Sequence, residues 1–367
     1  MRVGIDAHAL GTGAGGNETY VRDLIIALRD HAPEVELTAY VGREGIGDPC
    51  TTGVGTHTLP IASSYVRVPV VLPWLARRTK VELLHVQYNA PPVTPCPFVV
   101  SVHDVAWKRA PESLRAIDRW RLVWLTPGTL RRARRIFVLT NAIKDEIMEY
   151  YQVLPERFDI VQPTVDPLFH PRTSEADLAA ITRKYRLPEH YVLYIGALQP
   201  RKNLVRLATA FARTVGQGLP HSLIVVGRQA WLYGDILEQI DALKLGDRLR
   251  FTGYVPREEL PFLLTGAAAF AYLSIYEGFG IPVLEAMACG TPVLTSAVPA
   301  IQEVAGDGAV FCDPFDVDTI EYGLTQILTA NYLTARMRQN GPLRARSFTR
   351  EKMAQAALEG YRKALIT

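Results

Sequence analysis

The strongest constraint on the fold of this chain is a repeated alternation of short, β-rich apolar runs with stretches of helical periodicity. In the first half, apolar runs at Val3–Ile5, Leu83–Val86 and Phe98–Val102 alternate with helical segments such as Glu18–Arg29. Alternation of this kind predicts a parallel sheet that is covered on both faces. The same reasoning predicts strands at Leu37–Val41, Ile136–Leu139 and Phe158–Val161, and a helix at Ala142–Tyr151.

The alternation is interrupted at Gln162–Pro167, where two prolines in six residues can continue neither a helix nor a central strand. We therefore expect residues 1–165 and 166–349 to form two tandem doubly wound, parallel-sheet (Rossmann-like) α/β domains. Because ligands bind beyond the carboxyl ends of such strands, the two domains are expected to face a shared cleft. In the second half, strands are predicted at Val192–Ile195, Leu223–Val226, Leu249–Phe251, Ala269–Leu273 and Pro292–Thr295, and helices at Leu204–Val215, Glu258–Thr265, Pro282–Ala288 and Val317–Leu328.

Composition excludes several classes of protein. Charged residues make up 21% of the chain, which is typical of a globular protein, and the net charge of +3 is too small to indicate nucleic-acid binding. Its four cysteines form no C-x-x-C pair, so we expect buried, reduced thiols. No apolar run reaches the length of a membrane span, and Asp6 interrupts any signal-peptide core. These features predict a cytoplasmic protein, free or peripherally attached to the inner face of a membrane.

The clearest local signal is the segment Glu277–Val293, which follows a predicted strand. Gly278 and Gly280 let backbone N–H groups approach a ligand closely, and Pro282 suits the first turn of a helix. The segment therefore predicts a helix N-terminus that attracts an anion such as a pyrophosphate.

Two carboxylates in this segment, Glu277 and Glu285, can contact different parts of one extended ligand, because carboxylates accept hydrogen bonds from sugar hydroxyls. The alternative interpretation is that Glu277 caps the helix and that Glu285 is exposed to solvent.

A second signal is the pair Arg201-Lys202, which also follows a strand and opens a helix. Two cations at this position can neutralise a diphosphate leaving group, whereas an isolated Arg-Lys pair is usually solvated surface.

Two further motifs lie in the first half. The loop Gly11–Gly16 fits G-x-G-x-x-G, so it indicates either a dinucleotide site or a loop that passes over a phosphate held by the other domain. His103 ends a buried strand and is followed by Asp104, so it is either a structural histidine or a group that hydrogen-bonds a sugar hydroxyl.

Together these residues resemble the retaining glycosyltransferases of family 4 (glycosyl transferases group 1), which have the GT-B fold, over essentially the whole chain. Glu277–Val293 is similar to the E-x7-E signature of that family, and Arg201-Lys202-Asn203 is similar to its R-K-N element. Gly15-Gly16 and His103-Asp104 are similar to its glycine loop and H-D motif. The linker and the segment Asn17-Glu18-Thr19 depart from the usual family sequences, which leaves the acceptor unidentified.

The resemblance implies a role for each of these residues. Glu277 would contact the donor sugar, Glu285 the nucleotide ribose, and His103 the transferred sugar near its reacting carbon, so that Glu277 and His103 are the expected catalytic residues. The C-terminal helix, residues 350–367, would pack back on the first domain. The expected donor-binding residues are Gly15, Gly16, Arg201, Lys202, Gly278, Phe279, Gly280, Ile281 and Glu285, and the expected contacts to the base are Gly227, Tyr254 and Val255.

The implied reaction is transfer of a hexose, with retention of configuration, from a nucleotide-diphosphate sugar to a saccharide or lipid-linked saccharide, in cell-surface polysaccharide synthesis. The donor is of the UDP-glucose type or is GDP-mannose; it is a substrate, and no cofactor is expected. No metal is expected either, because cationic side chains can replace it. The acidic string Asp316-Val317-Asp318 is better explained as a helix N-cap with a first-turn acid.

Residues 107–135 combine nine basic side chains with Trp107, Trp120 and Trp124, and residues 65–80 show a similar mixture. This composition indicates either peripheral contact with an anionic membrane or an ordinary basic helical face. Other functions also remain open: an NAD(P)-dependent oxidoreductase, suggested by Gly11–Gly16, a non-catalytic nucleotide-sugar-binding protein, and a phosphorylase or epimerase of the same fold.

Overall fold

The computed structural model describes residues 1–13, 15–227 and 233–366. Contacts within the chain divide it into two compact units. Unit 1 consists of Met1–Thr164 together with Phe348–Thr367, and unit 2 consists of Val165–Ser347. The second unit is thus inserted into the sequence of the first, which resumes for one final helix.

Unit 1 is built on a parallel sheet. Its strands are β1 (Arg2–Ala7), β2 (Glu36–Val41), β3 (Gly55–Thr58), β4 (Leu83–Gln87), β5 (Phe98–Val102), β6 (Arg135–Val138) and β7 (Phe158–Ile160). Among the described residues these seven strands pair in the order β3-β2-β1-β4-β5-β6-β7, and every pair is parallel. The central strands β4 and β5 are buried along their whole length, as expected for a sheet with helices on both faces.

The helices of unit 1 are amphipathic where they cover the sheet. Tyr20, Leu24 and Leu28 lie on the buried face of the first helix, which the last helix of the chain contacts directly. Thr140 caps the sixth helix by accepting a hydrogen bond from the N–H of Ile143. The helices are α1 (Gly16–His31), α2 (Ser64–Val66), α3 (Leu72–Arg78), α4 (Ala106–Arg109), α5 (Ala116–Arg132), α6 (Asn141–Tyr151) and, at the end of the chain, α15 (Arg350–Ile366).

A chain of buried hydrogen bonds joins α15 to the sheet of unit 1. The Tyr361 hydroxyl lies 2.7 Å from Nδ1 of His85, whose Nε2 lies 2.7 Å from Oγ of Ser101. The hydroxyl of Tyr20 completes the chain at 3.0 Å from the same Oγ. All four residues are fully buried, so each of these polar groups depends on its neighbours for a hydrogen-bond partner.

Unit 2 repeats the architecture. Its strands are β8 (Tyr191–Ile195), β9 (Ser222–Val226), β10 (Leu249–Gly253), β11 (Ala269–Tyr272), β12 (Val293–Ser296) and β13 (Val310–Cys312). Within the described ranges they form a six-stranded parallel sheet in the order β10-β9-β8-β11-β12-β13. The prediction of two parallel-sheet α/β domains is confirmed.

The helices of unit 2 flank this sheet. Its core joins Leu207 and Phe211 to the strand residues Val192, Leu223 and Leu294, all of them fully buried. The helices are α7 (Glu175–Tyr185), α8 (Leu204–Gly216), α9 (Tyr233–Asp241), α10 (Leu260–Gly266), α11 (Ile281–Ala288), α12 (Pro299–Ala305), α13 (Val317–Thr329) and α14 (Asn331–Ala345).

The cysteines agree largely with the sequence-based expectation of reduced thiols. Cys50, Cys289 and Cys312 are buried free thiols, as expected, whereas the free thiol of Cys96 is only half-buried. Within the part of the chain that the structure describes, no helix is both long enough and apolar enough to cross a lipid bilayer.

Candidate functional site

The carboxylate of Glu277 lies among three donor groups at the carboxyl edge of the unit 2 sheet. Its Oε1 is 2.5 Å from Nζ of Lys202, 3.0 Å from Nη1 of Arg201 and 3.0 Å from the hydroxyl of Tyr272. The cations belong to the loop after β8, and Glu277 belongs to the loop after β11. Because these two strands are hydrogen-bonded neighbours, the fold brings together groups about 75 residues apart in sequence.

Electrostatics keep this cluster charged. Burial opposes ionisation of Glu277, but Arg201 and Lys202 outweigh it and lower the pKa of this carboxyl to about 2. Burial and the charge of Glu277 raise the pKa of Tyr272 well above its usual value, so its hydroxyl remains a hydrogen-bond donor. Lys202 also lies over the ring of Tyr272, at 4.8 Å from the centroid. The site therefore holds two cations and one carboxylate, all of them mostly shielded from water.

Helix α11 begins directly after this loop. Gly280 adopts a left-handed conformation with φ of 91°, which favours glycine, and Pro282 lies in the first turn, where its missing N–H costs no hydrogen bond. Gly278 and Phe279 are buried beside this turn, and Ile281 is its first helical residue. The expected geometry of a glycine turn that leads into a helix is thus present, and the positive end of the helix dipole follows the loop that carries Glu277.

Glu285 occupies a separate position on α11. Its side chain is buried, and its Oε1 lies 3.1 Å from Nη2 of Arg257. Arg257 also lies 3.5 Å from Asp166 and over the ring of Phe169. The alternative of a capping Glu277 and an exposed Glu285 is therefore wrong, because Gly280 holds the N-cap position and Glu285 is covered.

The residues expected to contact the base lie at neighbouring loops of unit 2. The N–H of Gly227, after β9, donates to the carbonyl of Gly253, at the end of β10, over 3.0 Å. A Cβ on Gly227 would lie 1.9 Å from the carbonyl oxygen of Gly196, so this close approach requires glycine. Tyr254 is exposed, whereas Val255 is buried. Residues 228–232, which include Arg228 beside Gly227, lie outside the described part of the chain.

His103 follows β5 in unit 1 and is almost fully buried. Its Nδ1 lies 2.7 Å from Oδ1 of Asn17, and its ring packs against those of Tyr20 and Tyr88. Burial lowers the pKa of His103 to about 3, so the imidazole is neutral at physiological pH. Its Nε2 is buried without a hydrogen-bond partner among the described residues, which suits a nitrogen that binds a ligand hydroxyl.

The buried histidines predict a pH-dependent stability. Burial also lowers the pKa of His85 to about 3, with the nearby His103 adding to the effect. In the unfolded chain both imidazoles take up protons near pH 6.5, whereas in the folded chain both stay neutral. The free energy of unfolding should therefore be highest above pH 6.5 and fall as the pH drops below it, by up to about 1.4 kcal/mol per pH unit for each histidine.

Urea unfolding between pH 7 and pH 5 measures this slope. His103→Gln should reduce the slope by the contribution of one histidine, whatever it does to the stability at pH 7. An unchanged slope in that variant would contradict the neutral, buried state of His103.

The glycine loop of unit 1 is already engaged by a carboxylate. Glu18 accepts hydrogen bonds from the N–H groups of Gly11, at 3.1 Å, and Gly13, at 2.8 Å. Arg22 bridges Glu18 to Asp48, with distances of 2.8 and 2.9 Å. Two amides that a dinucleotide pyrophosphate would need are thus occupied by the chain itself, which weighs against the oxidoreductase alternative.

The two remaining glycines of this loop lie at the start of α1. Gly15 is the N-cap residue, with φ of 60°, and Gly16 is the first residue of the helix. Their roles in donor binding stay predictions, and Ala14, between Gly13 and Gly15, lies outside the described residues.

The acidic string in unit 2 caps a helix. The side chain of Asp316 accepts a hydrogen bond from the N–H of Asp318 at the start of α13, which confirms the expected capping role. Across the described ranges, no group of three or more His, Cys, Asp or Glu residues has the geometry to hold a metal ion.

Family models and relatives agree with this arrangement. The model "Glycosyltransferase Family 4" matches residues 14–168, and "Glycosyl transferases group 1" matches residues 180–344. The chain is 32% identical to O-antigen chain mannosyltransferase B of Escherichia coli, over 72% of this chain and 70% of that protein. It is 30% identical to O-antigen chain mannosyltransferase RfbU of Salmonella typhimurium, over 59% and 57% of the two chains, and its match to the serotype-specific mannosyltransferase WbdA of Escherichia coli covers 29% of that protein.

Solved structures share the fold over almost the whole chain. Sucrose-phosphate synthase from Thermosynechococcus elongatus superposes with a TM-score of 0.80 at 21% identity, over 99% of this chain and 98% of that one. Anabaena Alr3699/HepE, in complex with UDP-glucose, superposes with a TM-score of 0.79 at 18% identity, over 99% of both chains. Two parallel-sheet units with this topology are the GT-B fold. The chain belongs to glycosyltransferase family 4.

Proposed function

We propose that this glycosyltransferase moves a hexose, with retention of configuration and without a metal ion, from a nucleotide-diphosphate sugar to a saccharide or lipid-linked saccharide in cell-surface polysaccharide synthesis. The observation that carries the proposal is the cluster of Glu277 with Arg201 and Lys202 beside the start of α11. Two cations and a helix N-terminus can bind a diphosphate, and an ionised carboxylate can accept hydrogen bonds from the hydroxyls of a sugar.

The same cluster accounts for leaving-group departure without a metal. Arg201, Lys202 and the first turn of α11 supply positive charge where the diphosphate develops negative charge, and electrostatic stabilisation of this kind usually contributes most to the rate. Glu277 shares its charge with two cations, so it is a poor nucleophile, and this favours attack by the acceptor on the face that the diphosphate leaves. His103 would contribute a hydrogen bond to the transferred sugar through Nε2.

Of the two expected donor types, GDP-mannose is favoured over a donor of the UDP-glucose type. Two relatives, at 32% identity in Escherichia coli and 30% identity in Salmonella typhimurium, are named O-antigen chain mannosyltransferases. Their names support GDP-mannose as the donor and a cell-surface saccharide as the product of this chain.

Nucleotide release from a panel of UDP-, GDP- and ADP-sugars, with EDTA and without acceptor, tests this proposal. We expect slow release from GDP-mannose, and the anomeric configuration of the product, once an acceptor is found, is expected to match that of the donor. Binding without release or transfer would favour a non-catalytic nucleotide-sugar-binding protein. Binding of NADH or NADPH in place of every nucleotide sugar would overturn the proposal.

We further propose that unit 1 contacts an anionic membrane, because large apolar side chains are exposed together in the two basic segments. In residues 65–80 and 107–135, Tyr65, Trp74, Trp120 and Trp124 are all more than half exposed, with Trp124 at 72%. Arg121, in the second segment, donates to Oγ of Ser64, the residue directly before the first segment. Aromatic side chains can insert at the boundary between lipid tails and headgroups, and basic side chains beside them can pair with anionic headgroups.

One residue of the expected surface does not belong to it. Trp107 is buried, and its Nε1 donates to the hydroxyl of Tyr151 over 2.7 Å. The aromatic residues of segment 107–135 that can reach a lipid surface are therefore Trp120 and Trp124 on α5.

Replacing Trp120 and Trp124 together with alanine is expected to weaken sedimentation with phosphatidylglycerol vesicles by at least about tenfold, because each indole contributes buried apolar area. The matched control is Tyr322→Ala with Tyr332→Ala, which removes two exposed aromatic rings from unit 2. Equal vesicle binding by both double variants would refute this surface.

A further inference from the structure

Several polar side chains share one face of the unit 1 sheet, and most of them satisfy one another. His85 on β4 and Ser101 on β5 belong to the buried chain of hydrogen bonds that also includes Tyr361 and Tyr20. Gln87 is the last residue of β4 and the register partner of Ser101, so its side chain lies on the same face. Gln87 therefore lies where this face reaches the carboxyl edge of the sheet, the edge at which such sheets bind ligands.

The side-chain amide of Gln87 is buried without the hydrogen bonds that it needs. The residue is only 8% exposed, yet neither Oε1 nor Nε2 has a hydrogen-bond partner in the part of the chain that the structure describes. Burying an amide without partners costs free energy, and buried polar groups of folded proteins are almost always paired. One oxygen acceptor and two N–H donors of this side chain are therefore available to a ligand.

His103 supplies one more available atom on this face. Its ring packs against that of Tyr20, whose hydroxyl bonds Ser101, so the imidazole lies on the side of the sheet that carries Gln87. Its Nδ1 lies 2.7 Å from the side-chain oxygen of Asn17, so Nδ1 carries the proton. Its Nε2, which has no partner among the described residues, is then a hydrogen-bond acceptor. The neighbouring strands β4 and β5 thus end in two available acceptor atoms and one available donor group.

The turn after β4 fixes the backbone at this point. Tyr88 has a φ of 58°, a left-handed conformation that is unfavourable for a bulky aromatic residue. Its N–H donates to the carbonyl of Ser101 over 2.9 Å, and its ring packs against that of His103. Strained backbone of this kind is concentrated at binding and catalytic sites, and here it sets the end of β4 against the end of β5.

We propose that Gln87, together with His103, binds hydroxyl groups of a saccharide and so helps to select the sugar, an inference that rests on the proposed function. One sugar hydroxyl can donate to Nε2 of His103 and accept from Nε2 of Gln87, while a neighbouring hydroxyl donates to Oε1 of Gln87. A sugar that lacks one of these hydroxyls would leave the buried amide unpaired, and such a site discriminates strongly against it. The saccharide is either the hexose of the donor or the acceptor, and the experiment below separates the two.

The test compares two glutamine variants of unit 1. Gln87→Met replaces the buried amide with an apolar group of similar length, and Gln355→Met makes the same change at an exposed position of α15. For the donor, calorimetry measures the affinity for the nucleotide sugar that the release panel selects, expected to be GDP-mannose, and for its nucleoside diphosphate alone. For the acceptor, methyl α-mannoside is titrated into each chain in the presence of that nucleoside diphosphate.

We expect Gln87→Met to bind at least one saccharide probe about tenfold more weakly than the unchanged chain and Gln355→Met, because hydrogen bonds to the sugar are lost. Affinity for the nucleoside diphosphate alone should not change, because the proposed diphosphate site belongs to unit 2. Weaker binding of the nucleotide sugar would identify the donor hexose, and weaker binding of the glycoside would identify the acceptor. If Gln87→Met and the unchanged chain did not differ with either probe, the proposal would be overturned.

Thermal unfolding without ligand provides a readout that does not depend on the sugar. Replacing a buried amide that has no partner among the described residues should leave the melting temperature unchanged or raise it. A lower melting temperature with unchanged saccharide binding would show that Gln87 serves the fold alone. If the unchanged chain bound no nucleotide sugar, the proposed function would fail and this inference with it, whereas failure of the inference alone leaves that binding intact.

Discussion

Glu277→Gln is expected to lower kcat by about two to three orders of magnitude, the range seen when a single preorganised electrostatic contact is lost. Glutamine keeps the shape of the side chain but loses the charge that Arg201 and Lys202 hold ionised. The variant should also unfold more readily, because two mostly buried cations lose their shared counter-ion.

A second consequence distinguishes this carboxylate from a purely structural one. In the chain without donor, Glu277 occupies the cations that the diphosphate needs, so glutamine should leave the affinity for the free nucleoside diphosphate unchanged or make it tighter. Turnover and calorimetric binding are measured together, with Glu238→Gln, an exposed residue of α9, as the control. Unchanged kcat, or loss of diphosphate affinity, would show that the role assigned to Glu277 is wrong.

Lys202→Met is expected to have the opposite effect on binding. Methionine retains an apolar stem against the ring of Tyr272 but loses the ammonium group, so the diphosphate loses one charged contact. Affinity for the nucleoside diphosphate should fall by about 10- to 100-fold, the value of a hydrogen bond to a charged group. The rate should fall further, because the missing charge matters most as the leaving group departs.

The matched control for this change is Lys184→Met, which removes the charge of an exposed lysine that pairs with Glu259. Arg201 still accompanies Glu277 in Lys202→Met, so the fold should survive, as melting curves can check. If both lysine variants bound the nucleoside diphosphate as tightly as the unchanged chain, the assignment of Lys202 to the diphosphate would be refuted.

The sequence predicted those parts of the fold that bury apolar side chains. The strands β4, β5, β8 and β9 are mostly apolar, and the structure places each of them inside its sheet, between two neighbouring strands. Strand β3 escaped prediction because Gly-Thr-His-Thr is exposed along its length, and β13 because it has three residues. Helix α7 escaped because none of its side chains is fully buried, so no apolar period marks it.

For the candidate site too, the sequence predicted local features but not the contacts between side chains that folding creates. Glycines, a proline and cations beside strand ends could be read from the sequence, since their chemistry depends on local geometry. The partner of Glu285 could not, because Arg257 belongs to a segment that only the folded unit brings beside it. The pairing of Tyr272 with Glu277 depends on how the loop after β11 turns, which the residue types do not reveal. Glu18 is the clearest failure, because a G-x-G-x-x-G pattern does not reveal that a carboxylate of the same chain occupies its amides.

The position of α15 has a consequence for the order in which the protein is made. The ribosome completes β1 to β7 early, but the helix that covers part of that sheet follows roughly 180 residues later. At about 5 to 20 residues per second, the nascent first unit waits on the order of ten seconds or more with the binding face for α15 uncovered. That face includes His85 and Phe137, which Tyr361 later contacts. Unit 2 can finish folding first, although its sequence is synthesised second. During this interval, chaperones that shield nascent apolar surfaces can bind the uncovered face of unit 1.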